Sequence, residues 1–227
     1  IFESKVCVMK NLNEKIDNFI YENNDRIDKI VNEKSEVIID IDEISLKGNH
    51  NLENVLFIIG IGKILNIPNE VISQFLKTTK ALEHRLENFF LKQNTLFIND
   101  SKGTNVESTI KAIEAFKNRI VLIAGGENKK ICNEELIKKI NERVGFVYLI
   151  GETGTILAEE MNKVGYKKYK NLGTLEKVLL DIKQNIDFED SQTILFSPAT
   201  ASFDQFKNFE ERGRIFKELT NKILGEK

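Results

Sequence analysis

Ile120-Val121-Leu122-Ile123-Ala124-Gly125-Gly126 is an unbroken apolar run closed by two glycines, and Phe146-Val147-Tyr148-Leu149-Ile150-Gly151 repeats the theme. A strand with one wet face alternates apolar with polar residues; runs this short without alternation mark strands covered on both faces. Between them, Asn133–Asn141 has helical spacing. Downstream the pattern predicts a helix over Thr153–Val164, another over Thr174–Lys183, a strand at Thr193–Phe196 and a final helix from about Asp204. Upstream, Leu86–Leu91 and Thr95–Ile98 read as a hairpin around Gln93-Asn94, followed by a helix over Asn105–Phe116. Strands alternating with helices imply right-handed crossovers and a largely parallel sheet. The fold class is therefore α/β, with a Rossmann-like domain over residues 81–227.

Residues 1–80 read differently. Ile16, Phe19, Ile20, Ile27, Ile30 and Val31 loosely fit helical spacing, but Phe19-Ile20-Tyr21 and Ile27–Val31 flank the turn-like Glu22-Asn23-Asn24-Asp25, which favours short strands, and Val37-Ile38-Ile39 begins another. Gly48-Asn49 introduces a helix with Leu52, Val55, Leu56, Ile59 and Ile64 at helical intervals, and Pro68 sits at the start of a second over Asn69–Thr79.

Composition narrows the function. Among 227 residues, 33 Lys and Arg nearly cancel 35 Asp and Glu to a net charge of −2. No field of either sign is present to hold nucleic acid or an anionic membrane. No apolar run approaches the roughly 20 residues that span a bilayer. Two cysteines, Cys7 and Cys132, suit free thiols in a reducing cytoplasm better than a disulfide framework or a cysteine zinc site. The start, Ile1-Phe2-Glu3-Ser4-Lys5, lacks the basic, apolar and small-residue succession of a signal peptide and reads as a piece of a longer chain.

Chemistry in an open parallel sheet collects where strands end and helix N-termini begin. Three polar segments fall there: Asn99-Asp100-Ser101-Lys102-Gly103-Thr104-Asn105, Gly125-Gly126-Glu127-Asn128-Lys129-Lys130, and Ser197 to Gln205, in which Ser202 and Gln205 have capping-box spacing. Singly, each is ordinary turn and cap chemistry. Together they gather Lys102, Thr104, Lys129 and Ser202, all suited to carboxylate or phosphate oxygens. Asn51 and Asn54, three apart on one helix face, offer amides to a purine edge or to solvent. The chain has no phosphate loop: Phe57 stands where that motif needs its first glycine before Gly62-Lys63.

Five strings in this order resemble the Mur ligases of peptidoglycan synthesis. They are Leu46-Lys47-Gly48-Asn49-His50-Asn51-Leu52-Glu53-Asn54, Leu82-Glu83-His84-Arg85-Leu86-Glu87, Asn99 to Asn105, Gly125 to Lys129, and Ser197 to Gly213 with its ending Phe206-Lys207-Asn208-Phe209-Glu210-Glu211-Arg212-Gly213. The Asp-Asn-Pro-Arg string expected of members that add diaminopimelate or lysine is absent, which favours the D-glutamate-adding branch.

The resemblance implies an ATP-dependent cytoplasmic ligase of cell-wall precursor synthesis, needed for cell shape and division. It adds D-glutamate to UDP-N-acetylmuramoyl-L-alanine through an acyl phosphate, with ATP and Mg2+ as cofactors. Residues 1–80 correspond to the tail of the central ATPase domain and 81–227 to the C-terminal domain. The phosphate loop, the catalytic residues and the magnesium ligands then lie upstream, so this piece alone is inactive and carries neither catalytic nor metal residues of its own. By the same resemblance Asn51, Asn54, Arg85 and Asp100 bind ATP. Thr104, Lys129, Ser202, Phe203 and Phe209 bind D-glutamate, and His84, Lys102 and Arg212 support them. A monomer acting on small molecules, with no nucleic acid or membrane partner, is expected. Three departures stand out: Glu83 where the family often has proline, Gly103 for a usual alanine, which should matter little, and Lys130 after Lys129 where glycine or serine is common. The competing expectation is a non-catalytic Rossmann-like module that binds a nucleotide or acidic metabolite.

Overall fold

A computed structural model describes residues 29–31, 37–45, 49–79, 82–128 and 133–225. The predicted strand at Phe19–Tyr21 and the loop residues Lys129 and Lys130 lie outside them. The chain divides into two compact units, Ile1–Ala81 and Leu82–Lys227.

In the first unit, β1 (Lys29–Val31) pairs antiparallel with β2 (Val37–Asp40). A 3-10 turn over Ile41–Glu43 follows, then α1 (Asn49–Ile64) and α2 (Asn69–Thr78). Pro68 occupies the cap of α2, where its missing N–H costs nothing. Ile38, Ile39, Ile44, Val55, Leu56, Ile59, Ile72 and Leu76 form the core. Ile64, at a predicted core position, is instead exposed together with Phe57 and Ile61. Helix α1 is thus apolar on two sides.

The second unit is a six-stranded sheet between two helical layers. Its strands are β3 (Glu87–Lys92), β4 (Thr95–Asn99), β5 (Arg119–Gly125), β6 (Val144–Ile150), β7 (Tyr169–Gly173) and β8 (Gln192–Phe196), in the order β3-β4-β8-β5-β6-β7. Only β3, hairpin partner of β4, runs antiparallel. The crossovers over α3 (Val106–Glu114), α4 (Glu134–Arg143) and α5 (Thr153–Lys163) all advance in one direction across the sheet. After β7 the chain reverses through α6 (Leu175–Asn185), places β8 between β4 and β5, and ends in α7 (Phe209–Leu224). Right-handed crossovers that change direction must change face. Burial follows that rule: Ile120, Leu122 and Ala124 of β5 pack with α3, α4 and α5, whereas Val121 and Ile123 pack with α6 and α7. The unbroken apolar run is explained by this two-sided cover.

Two expectations are corrected. The sequence reading passed from one helix to the next across Tyr169–Gly173, which is the edge strand β7, paired only with β6. The last helix starts at Phe209, not near Asp204, because Asn208 caps it by accepting from the Glu211 N–H at 2.8 Å. Ser202 and Gln205 form instead an isolated turn, with Gln205 N–H and Phe206 N–H donating to Ser202 C=O.

Candidate functional site

Because β4, β8 and β5 are adjacent and parallel, the loops that follow them leave the same edge side by side. Backbone bonds lace them together. Gly125 N–H donates to Pro198 C=O at 2.8 Å, Glu127 N–H to Ala201 C=O at 3.0 Å, and Ala199 N–H to Gly103 C=O at 2.9 Å. Gly125 and Gly126 have φ of +112° and +155°, and a Cβ on Gly125 would sit 2.1 Å from the Ile150 carbonyl. Only glycine serves at that close approach.

Arg212 ties the same loops from below. It is wholly buried on the core stripe of α7 with Phe216 and Thr220. Its guanidinium donates to Ser101 C=O at 2.8 Å, Ser101 Oγ at 3.0 Å, and the carbonyls of Thr200 and Ala201, each at 3.1 Å. Burial pulls its pKa down to about 10, against the attraction of Asp204 and Asp100. Its described bonds all go to the protein's own loops. The sequence pointed to Arg212 through the resemblance alone, and to Ser101 only as one polar residue of the first loop.

Asp100 is buried at the mouth of the loops and 5 % exposed. Ser197 Oγ–H donates to its Oδ2 at 2.6 Å and Leu86 N–H to its Oδ1 at 3.2 Å. Burial pushes its pKa up to about 6, although the Ser197 and Leu86 donors and the charges of Arg85 and Arg212 favour the anion. Each carboxylate oxygen retains a further lone pair for an incoming donor. Arg85 is exposed beside it.

His84 is buried with φ +66°. Asn99 Nδ2–H donates to its Nδ1 at 2.9 Å and to Glu87 Oε2 at the same distance. Burial lowers the His84 pKa, opposed by Glu83 and Glu87. Phe209 meets its ring edge-on, with centroids 6.2 Å apart, and Lys102 Nζ lies 5.7 Å from the Phe209 centroid. Glu83, His84 and Glu87 form the one group with metal-ligand spacing among the described residues. Lys217 Nζ already donates to Glu83 at 2.7 Å and to Glu87 at 2.8 Å, so one ammonium is shared between the two carboxylates.

Thr104 is half-buried and Lys102 exposed on the first loop; Ser202 is buried and Phe203 exposed on the third. Loop contacts therefore unite the neighbourhoods of Thr104 and Ser202, while Lys129 is outside the described residues. Asn51 and Asn54 stand one helical turn apart on α1, in the other unit, where Asn54 is exposed.

A family model described as the Mur ligase glutamate-ligase domain matches residues 84–200, just over half of the chain. The chain belongs to the Mur ligase family. Among curated relatives, UDP-N-acetylmuramoylalanine–D-glutamate ligase of Fusobacterium nucleatum is 46% identical over 200 residues, covering 87% of this chain and 46% of that protein. The enzyme of the same name from Caldicellulosiruptor bescii is 37% identical over 226 residues, covering 98% and 48%. The chain thus spans about half the length of the curated relatives it matches. The solved structure of MurF from Acinetobacter baumannii superposes with a TM-score of 0.61 at 16% identity, over 88% of this chain and 42% of that one, a likeness of fold. Among the described residues of this Mur ligase chain, no helix is long and apolar enough to cross a membrane.

Proposed function

We propose that this Mur ligase chain is the C-terminal part of an ATP-dependent ligase that joins D-glutamate to UDP-N-acetylmuramoyl-L-alanine in the cytoplasm. One observation carries the reading: three polar loops converge at the carboxyl ends of β4, β8 and β5, in a chain whose relatives bear that enzyme's name. Residues 1–80 are read as the end of the ATPase domain, and 81–227 as the amino-acid-delivering domain.

A carboxylate is a poor electrophile, so the muramoyl-alanine carboxylate first takes the γ-phosphoryl group of ATP, releasing ADP. The D-glutamate amine then attacks the acyl carbon, and phosphate leaves as the amide forms. This chain's share is binding and orientation, which converts a bimolecular attack into a local one. Asn51 and Asn54 recognise adenine, and Arg85 and Asp100 reach ribose and phosphates. Thr104, Lys129, Ser202 and Phe203 hold the glutamate carboxylates, and Phe209 shapes the pocket. Lys102 supplies charge, and His84 holds the segment that carries Arg85. Mg2+, when bound, would neutralise phosphate charge, and its ligands are read as lying elsewhere in the enzyme.

The test is the full-length enzyme. Phosphate release must require D-glutamate and the muramoyl-alanine nucleotide together. Lys129→Ala should raise KM for D-glutamate by about one to two decades, the worth of a charge-assisted bond to carboxylate. Normal kinetics in that variant with Lys130→Ala impaired would move the role to the neighbour.

A further inference from the structure

We propose that Ser197 is a positioning residue for the nucleotide side of this reaction: its hydroxyl fixes the Asp100 carboxylate against the Leu86 N–H and so sets the segment that carries Arg85. The inference rests on the nucleotide role proposed above for Arg85 and Asp100. Ser197 is fully buried just past β8 and reaches Asp100 Oδ2 at 2.6 Å. A serine hydroxyl has one proton. Since Ser197 gives its proton to the carboxylate, Thr109 Oγ1, 2.9 Å away and also fully buried, must be the donor in their bond. A chain of hydroxyls from α3 therefore aims Ser197 at Asp100.

On its far side, Asp100 grips the backbone. Its Oδ1 accepts from Leu86 N–H at 3.2 Å, and Lys102 N–H donates to His84 C=O at 3.0 Å. His84 and Leu86, either side of Arg85, have φ of +66° and +42°. Residues with a Cβ hold that conformation only where the surroundings enforce it. The carboxylate and the Lys102 N–H are two of the enforcing groups, beside Glu87 Oε2, which accepts from the His84 N–H at 3.0 Å, and Leu82 C=O, which accepts from the Arg85 N–H at 3.1 Å. The charges facing Asp100 are Arg85 from the segment itself and Arg212 from α7.

Gly103 leaves room for the arrangement. A Cβ there would lie 2.5 Å from Asp100 Oδ2 and 2.7 Å from Ser197 Oγ. An alanine there would have to move the carboxylate or the hydroxyl, both of them side-chain ends.

The test has two arms. In this chain, carbon-detected NMR of Asp100 should show the carboxyl midpoint rising by about one to two pH units in Ser197→Ala, since the lost donor stabilised the anion. An unchanged midpoint overturns the inference whatever the enzyme does. In the full-length enzyme, Ser197→Ala and Ser197→Cys should each raise KM for ATP by about tenfold, with KM for D-glutamate changed less than twofold. Ser197→Cys, close in size to serine but a weak donor, keeps that arm decisive if Ser197→Ala does not fold. If Arg85→Ala raises KM for ATP but neither variant does, the positioning role is overturned while the nucleotide reading stands. If Arg85→Ala also leaves it unchanged, the nucleotide reading falls and the positioning role for nucleotide binding falls with it, while the Asp100 titration still decides whether Ser197 holds the carboxylate.

Discussion

Asp100 shows how one buried carboxyl can set stability against use. Its folded pKa of about 6 lies above the ordinary aspartate value of 3.8. The stability it contributes is whole below about pH 4 and is lost as pH rises through 6, where the folded protein must ionise a desolvated group. Asp100→Asn should therefore stabilise the second unit at pH 8 by up to about 2–3 kcal/mol and flatten its pH dependence between 4 and 7. Urea titrations of both proteins at pH 4 and pH 8 would check this; equal gains at the two pH values would contradict it. Arg212 is the opposite case, a charge whose donors are spent on loop carbonyls. Arg212→Met keeps the length and removes the donors, leaving those carbonyls bare. A loss of about 2–4 kcal/mol in urea-derived stability is expected, with an unchanged m value. Thr104 and Ser202 were legible from sequence as strand-end polar residues. Arg212 was legible only as a charge, because its role depends on a stripe that buries it.

Elements with two covered faces announced themselves, as did the edge strand β3 through its hairpin turn, whereas the edge strand β7 did not. Val121 and Ile123 face one helical layer while Ile120 and Leu122 face the other, so β5 had to be apolar throughout. Tyr169-Lys170-Asn171-Leu172-Gly173 has a single neighbour and only partial burial, so nothing in its composition compelled a strand. The start of α7 was ambiguous for another reason: Ser202 with Gln205 and Asn208 with Glu211 both have cap spacing, and the helix uses the second, Asn208 accepting from the Glu211 N–H. Asn208→Ala should cost about 1 kcal/mol. Ser202→Ala should leave the helical circular dichroism and melting of α7 unaffected, and a matching loss there would restore the earlier start.

At the scale of the molecule, the second unit has a core on each side of its sheet, complete within 82–227. Excised at Leu82, it should unfold in one cooperative transition, monitored alike by near- and far-ultraviolet dichroism. Lost near-ultraviolet signal with retained helicity would instead mark a molten state. The boundary between units was read from a change of periodicity, since no run of glycine or proline marks it.

Strand β8, the last strand in the chain, sits near the middle of the sheet between β4 and β5. During synthesis β4 and β5 emerge with a vacant slot between them, and that slot stays open until the ribosome has released Gln192–Phe196. Hydrophobic edges are exposed meanwhile, the species on which chaperones act. A transcript cut short before the codon for Gln192 would give a polypeptide with most of the helices described above and no means of closing its sheet.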